Sequence, residues 1–176
     1  MIGFRLVNAQ YTMEANMNLD LLWIHFNSDQ SKYFPGKPHM LKWVSQFKKT
    51  VLFFPNNKVQ VIGNVDENLV LQIQEEIVTK LRDIINDSFF LSTPKVNTMT
   101  WTYKYDRTFS FVGIPSNSLF SYEPEVFPAA IFSHWAPIKV ILFPNGHTNI
   151  VGVKTTTSLP SIIEELMCKY DALRGH

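Results

Sequence analysis

The chain has one cysteine, Cys168, in 176 residues. A single thiol excludes an internal disulfide and a zinc cluster of cysteines, and suits a reducing compartment. No apolar run reaches membrane-spanning length and no signal-peptide layout opens the chain, so a soluble, non-secreted protein without a membrane partner is expected. His25, His39, His134, His147 and His176 show no metal-ligand spacing. There is no glycine-rich phosphate loop and no nucleophile elbow. No catalytic residue, metal or cofactor is therefore expected, and Cys168, on or beside an apolar helical stripe, is expected in the core. Charge of one sign is also scarce. A net charge of +1 gives little general attraction for a polyanion, although Lys32, Lys37, Lys42, Lys48, Lys49 and Lys58 gather in one stretch.

What the chain has is apolar bulk and repetition. Hydrophobic residues make up 45%, with 14 Phe, 4 Trp and 6 Tyr, enough for a real core. Phe54-Pro55-Asn56-Asn57-Lys58 through Gly63 returns as Phe143-Pro144-Asn145-Gly146-His147 through Gly152, an offset of 89 residues. The same offset carries Tyr33-x-Pro35 onto Tyr122-x-Pro124 and Asn8 onto Asn97. One folding unit written twice is the reading, with repeats at 1–89 and 90–176 packed as one intertwined domain. Two copies of one surface suit a long, nearly two-fold target such as duplex DNA.

Leu69, Ile73, Ile77, Leu81 and Ile84 predict a helix over 67–86 with Asp66 as its cap. Ile162, Leu166, Tyr170 and Leu173 repeat the stripe, with Ser158 as the expected cap and Pro160 in the first turn. Alternation around Pro-Asn-Asn and Pro-Asn-Gly predicts β-hairpins over 50–62 and 139–151, each with a phenylalanine at its tip. The expected class is α+β, with helices on one face of a curved antiparallel sheet and the other face open.

Ser121-Tyr122-Glu123-Pro124-Glu125-Val126-Phe127-Pro128, the doubled hairpins, Leu19-Asp20-Leu21 and the asparagines at 8 and 97 resemble the TATA-box-binding protein family. The resemblance implies a pseudo-two-fold saddle of about ten strands, helices on its convex face and promoter DNA gripped in the minor groove by the concave one. It implies phenylalanine wedges at each end, here Phe54, Phe127 and Phe143, with Pro38 (or Lys37 after a one-residue slip) where a fourth would stand. Such wedging belongs to the known behaviour of that family. Asn8 and Asn97 would reach the groove floor, although such strand asparagines taken singly read as bonded to backbone. A slip of one residue would turn Asn97 inward, because Met99, Trp101 and Tyr103 share its face.

The departures from the family are chemical. Groove-facing valines give way to Gln10, Gln60 and Asn149, with Met99 the apolar exception, and groove-facing threonines give way to Ile62 and Val151. Amides accept from the exocyclic amine of guanine, so relaxed TATA selectivity is expected. Lys58 and Lys154 match basic positions, whereas His147 and Ser133 replace Lys and Arg, which predicts a shallow salt dependence. By resemblance, Glu123 and Glu125 contact a B-type general transcription factor that brings in RNA polymerase. An A-type factor and other regulators would take the convex face, and the free protein could form a homodimer. The compartment implied is the nucleus, or the cytoplasmic transcription compartment of a virus. The alternative is an interaction module on the same saddle whose DNA binding is weak or lost.

Overall fold

Ten antiparallel strands and three helices make an α+β fold in the computed structural model, which describes residues 3–29 and 31–174. His176 lies outside the described residues. In chain order these are β1 (Arg5–Glu14), α1 (Leu21–Phe26), β2 (Ser31–Phe34), β3 (Met40–Val44), β4 (Thr50–Phe53), β5 (Lys58–Gly63) and α2 (Glu67–Ile84). There follow β6 (Lys95–Lys104), β7 (Phe120–Ser121), β8 (Ala130–Trp135), β9 (Ile138–Leu142), β10 (His147–Val153), a 3-10 turn (Thr156–Ser158) and α3 (Leu159–Arg174). The strands form one open sheet in the order β2-β3-β4-β5-β1-β6-β10-β9-β8-β7. The chain packs as two compact units, Leu6–Asn97 and Met1–Arg5 with Thr98–His176. These are units of packing; the repeat boundaries 1–89 and 90–176 rest on sequence register.

In the Leu6–Asn97 unit, strict alternation decides which side is covered. Ala9, Tyr11 and Met13 of β1, Val59 and Val61 of β5, Val51 and Phe53 of β4, and Leu41 and Trp43 of β3 are buried. They share one side of the pleat and meet the stripe Val70, Ile73, Ile77 and Leu81 of α2. Polar links fix α2 on that side. Gln46 N donates to Glu76 Oε1 at 2.9 Å, and the Lys80 ammonium lies 4.6 Å from the Trp43 ring centre. Asp66 Oδ1 accepts from Leu69 N at 2.8 Å, the cap expected from sequence. Asp66→Ala is expected to cost about 1 kcal/mol in urea unfolding.

In the other unit, Phe132 of β8, Val140 and Leu142 of β9, and Ile150 and Val153 of β10 form the buried side. Ile162, Ile163, Leu166 and Tyr170 of α3 are buried with them. Phe109, Phe111 and Tyr170 pack edge and face at 5.1–6.4 Å between ring centres. Tyr105 Oη donates to Ile163 O at 2.8 Å, and burial, the larger cause, together with Tyr103 holds its hydroxyl well above the usual tyrosine range.

Two local expectations are corrected. Ser158 is not the cap of α3: the helix is entered through the 3-10 turn, and Thr155 caps that turn by accepting from Thr157 N at 3.3 Å. Threonine two residues before a 3-10 donor satisfies the same orphan amide that a helix cap would. Cys168 is exposed, because the buried stripe of α3 runs through Leu166 and Tyr170 and leaves position 168 on the solvent side.

Candidate nucleic-acid interface

The residues between the buried ones on each strand face away from the helices. In the Leu6–Asn97 unit these include Asn8, Gln10 and Thr12 on β1, Lys58, Gln60 and Ile62 on β5, Leu52 on β4 and Lys42 on β3; all are exposed or half-buried. Gln10 stands opposite Ile62, and Thr12 opposite Gln60. Gln60 in turn stands opposite Leu52, and Leu52 opposite Lys42. One hydrogen bond organises this surface: Gln10 Nε2 donates to Gln60 Oε1 at 3.0 Å. The pair leaves Gln10 Oε1 as an acceptor and the Gln60 amide hydrogens as donors pointing out of the same patch. Asn8 is exposed. Asn97 is exposed as well, and its Nδ2 donates to Thr12 Oγ1 at 2.6 Å.

Phe54 follows the buried Phe53, so it points to the open side, where it is half-buried. Its backbone N–H donates to Lys58 O at 2.9 Å and closes the hairpin. Sequence register put its partner at Pro38 or Lys37, and both are exposed in the connection before β3. The strand pairing offers other neighbours. Leu41 is opposite Phe53 and Phe34 is opposite Met40, so Met40 and Phe34 continue the row that Phe54 begins. Nothing in a one-dimensional offset reveals that row, because it is created by strands β2 and β3 pairing at the edge of the sheet.

In the unit of Thr98–His176, the open side carries Thr100 and Thr102 of β6, Asn149 and Val151 of β10, Lys139 and Ile141 of β9 and Ile131 of β8. Asn149 stands opposite Thr102 and Ile141, Val151 opposite Thr100 and Lys139, and Ile131 opposite Ile141. Phe127 is 38% exposed, and its ring lies 6.0 Å from that of the half-buried Phe143 at an interplanar angle of 63°. The turn that presents Phe127 is tied by Val126 N and Phe127 N, which both donate to Glu123 O at 2.9 and 2.8 Å. Glu123, Glu125, His147 and Lys154 are exposed, and Ser133 is half-buried.

Met99 does not belong to the open side. It is 6% exposed and stands opposite the buried Val153, while Trp101 stands opposite the buried Ile150. The cause is a register one residue out of step with the repeat offset. From Lys104–His147 to Thr100–Val151, each β6 residue paired with β10 lies one position beyond the one that an offset of 89 assigns. Thr100 faces Val151 as Gln10 faces Ile62, so the offset on this strand is 90 rather than 89, and a bulge at Gly152, whose φ is +90°, then lets the buried Val153 stand opposite Met99. Met99, Trp101 and Tyr103 are turned toward the helix side, and the threonines take the open positions that sequence register had assigned to their neighbours. Leu52, Lys42, Ile131 and Ile141 are further open-side residues missed at first; applying the hairpin alternation outward by one strand would have found them.

Among the described residues no group of three His, Cys, Asp or Glu side chains could hold a metal ion. Among the described residues, too, no helix is long and apolar enough to cross a membrane. No protein-family model matches the sequence, and no curated protein matches it. Among solved structures, the chain is similar to Methanococcus jannaschii TBP, with a TM-score of 0.80 and 20% sequence identity over 99% of this chain and 99% of that one. The fold is therefore TBP-like.

Proposed function

We propose that the chain is a non-enzymatic transcription factor that binds duplex DNA in the minor groove through the open side of its sheet, bends it and recruits a B-type factor and RNA polymerase. The observation that carries this reading is the Phe127–Phe143 pair, two aromatic rings held out at one end of an open strand surface. Apolar rings left in water are a liability unless something covers them, and base steps are a fitting cover: unstacking costs a few kcal/mol, and the bend it permits brings more protein surface into contact. Glu123 and Glu125, exposed beside Phe127, remain the proposed contact for the B-type factor. The compartment proposed is the nucleus, or a viral transcription compartment in the cytoplasm. A second reading, a protein-interaction module with lost DNA binding, is favoured by Pro38 at the fourth wedge position and by the net charge of +1.

The Gln10–Gln60 pair supports relaxed base selectivity. The minor groove of A·T presents acceptors only, whereas G·C adds the guanine amine as a donor. Gln60 donates to the former and the free Gln10 Oε1 accepts from the latter. Fluorescence anisotropy with short duplexes tests both claims. Binding should weaken with salt with a log–log slope on the order of −4, as expected for a few phosphate contacts. One A·T to G·C exchange over the first-repeat half should cost less than about 1 kcal/mol, and Gln10→Val with Gln60→Val should restore a penalty of about 1–3 kcal/mol. Absence of salt-dependent binding to any duplex selects the interaction-module reading. A steep A·T preference in the unaltered protein refutes the relaxed selectivity.

A further inference from the structure

The helix side of the Leu6–Asn97 unit holds a cavity of about 360 Å³ between α1, the C-terminal half of α2 and strands β3 and β4. Its floor is Ile24, Leu41, Phe53 and Leu81, each no more than 3% exposed. A volume of this size is at the small end of ligand clefts, about 300–1,000 Å³, and far above the voids that close packing leaves. The Ser28 hydroxyl, which lines the cavity, is buried and has no hydrogen-bond partner among the described residues. A buried hydroxyl without a partner is costly, so an occupant that hydrogen-bonds to it is favoured over an apolar plug.

The rim defines the charge of that occupant. Lys80, on the wall, is already engaged: its ammonium is 3.2 Å from Glu76 Oε1 and 4.6 Å from the centre of the Trp43 ring. Asp29 and Asp83 at the exposed edge have no salt-bridge partner among the described residues. The uncompensated charge is negative, which repels phosphate and attracts a cation. Beside the cavity, α1 turns apolar surface outward: Trp23 is 54% and Phe26 76% exposed. Trp23 is fixed there, because its Nε1 donates to Ile84 O at 3.0 Å at the end of α2.

We infer that this cavity is a docking site for a segment of a partner protein that seats one bulky apolar side chain on the Ile24–Leu81 floor, bonds Ser28 Oγ through its backbone and places a flanking Arg or Lys against Asp29 and Asp83. Trp23 and Phe26 extend the contact along the segment. The site uses the side of the unit opposite Gln10 and Gln60, so it does not depend on DNA binding.

The test uses the full chain, labelled with nitrogen-15, and three blocked peptides: Arg-Trp-Leu-Arg, Glu-Trp-Leu-Glu and Arg-Ala-Ala-Arg. The first should shift the backbone amides of Ile24, Ser28 and Leu81 with a Kd on the order of 0.1–1 mM, as expected for a single-anchor peptide. The other two should bind at least about tenfold more weakly, and Asp83→Lys should weaken the first by about fivefold. Asp29→Lys gives the same reading independently should Asp83→Lys lower stability. The proposal fails if those amides do not move, if the glutamate peptide binds as well as the arginine peptide, or if neither lysine variant changes the affinity.

Discussion

Gly146→Ala is expected to lower stability by about 3 kcal/mol or more, an effect at the severe end for one added methyl group. The glycine has φ +83°, a conformation that costs any L residue with a Cβ about 1 kcal/mol or more. Space makes the larger difference. A Cβ at this position would lie 2.4 Å from Arg107 O and 2.7 Å from Tyr105 O, and both are backbone atoms that no side-chain rotation can move. The turn is also latched, since Gly146 N donates to Phe143 O at 2.9 Å and Gly146 O accepts from Tyr105 N at 3.0 Å. Relief of the overlap must therefore open the end of the β6–β10 pairing or the segment after Tyr105. The first repeat provides the control. Asn57, at the matching position, has φ 62° and no need of glycine; its O accepts from Ala15 N at 2.8 Å. Asparagine tolerates this region, so Asn57→Gly should change stability by less than about 0.5 kcal/mol and Asn57→Ala by about 1 kcal/mol. Gly113, with φ +82° and nothing within 4 Å of a Cβ, isolates the conformational cost alone, about 1 kcal/mol. Urea midpoints at constant m-value rank the four variants. A Gly146→Ala protein within 0.5 kcal/mol of the unaltered one contradicts the steric argument.

The same pair of positions shows what could be read from the chain before its structure. Local patterns were legible. The Pro-Asn-Asn and Pro-Asn-Gly turns announced β4–β5 and β9–β10, and the stripes Ile73–Ile77–Leu81 and Ile162–Leu166–Tyr170 announced α2 and α3, because each pattern is written within one element. What depended on a partner strand was not. β6 pairs with β10 one residue out of step with the repeat offset, so Met99 goes in and Thr100 comes out; the shared face of Met99, Trp101 and Tyr103 pointed to such a slip, but only the pairing with β10 fixes it. The row Phe34, Met40 and Phe54 exists only because β2 and β3 pair at the edge. A repeat offset, which compares positions along the chain, found Pro38 and missed both neighbours. Cys168 was misplaced for a simpler reason: at one residue in 3.6 per turn, the boundary of a helical stripe cannot be drawn from spacing to better than one position.

The asymmetry between the two ends leads to the last expectation, which holds on the proposed groove-binding mode. Phe143→Ala should weaken duplex binding by about 2 kcal/mol, a factor of roughly 30, and should abolish the end-to-end shortening that energy transfer between dyes on the duplex ends reports. The two rings of this end are in contact, 6.0 Å apart, so Phe127→Ala should be costly too, and the double variant should lose less than the sum. A coupling of about 0.5–1.5 kcal/mol between Phe127 and Phe143 is the expected signature of a wedge acting as one unit. At the other end Phe54 has no ring in the matching position, and Met40 and Phe34 stay in its row when it is removed. Phe54→Ala should therefore cost about 1 kcal/mol or less in binding and leave most of the bend in place. Folding does not confound the Phe127 variant, because Phe127 is 38% exposed and its truncation should leave the urea midpoint nearly unchanged; for the half-buried Phe143 and Phe54 the urea midpoint is measured beside the binding. Equal losses for Phe54→Ala and Phe143→Ala would mean that both ends pry the duplex alike; additive losses at Phe127 and Phe143 would mean that the rings act separately. A duplex bound without shortening by the unaltered protein would remove wedging from the mechanism altogether.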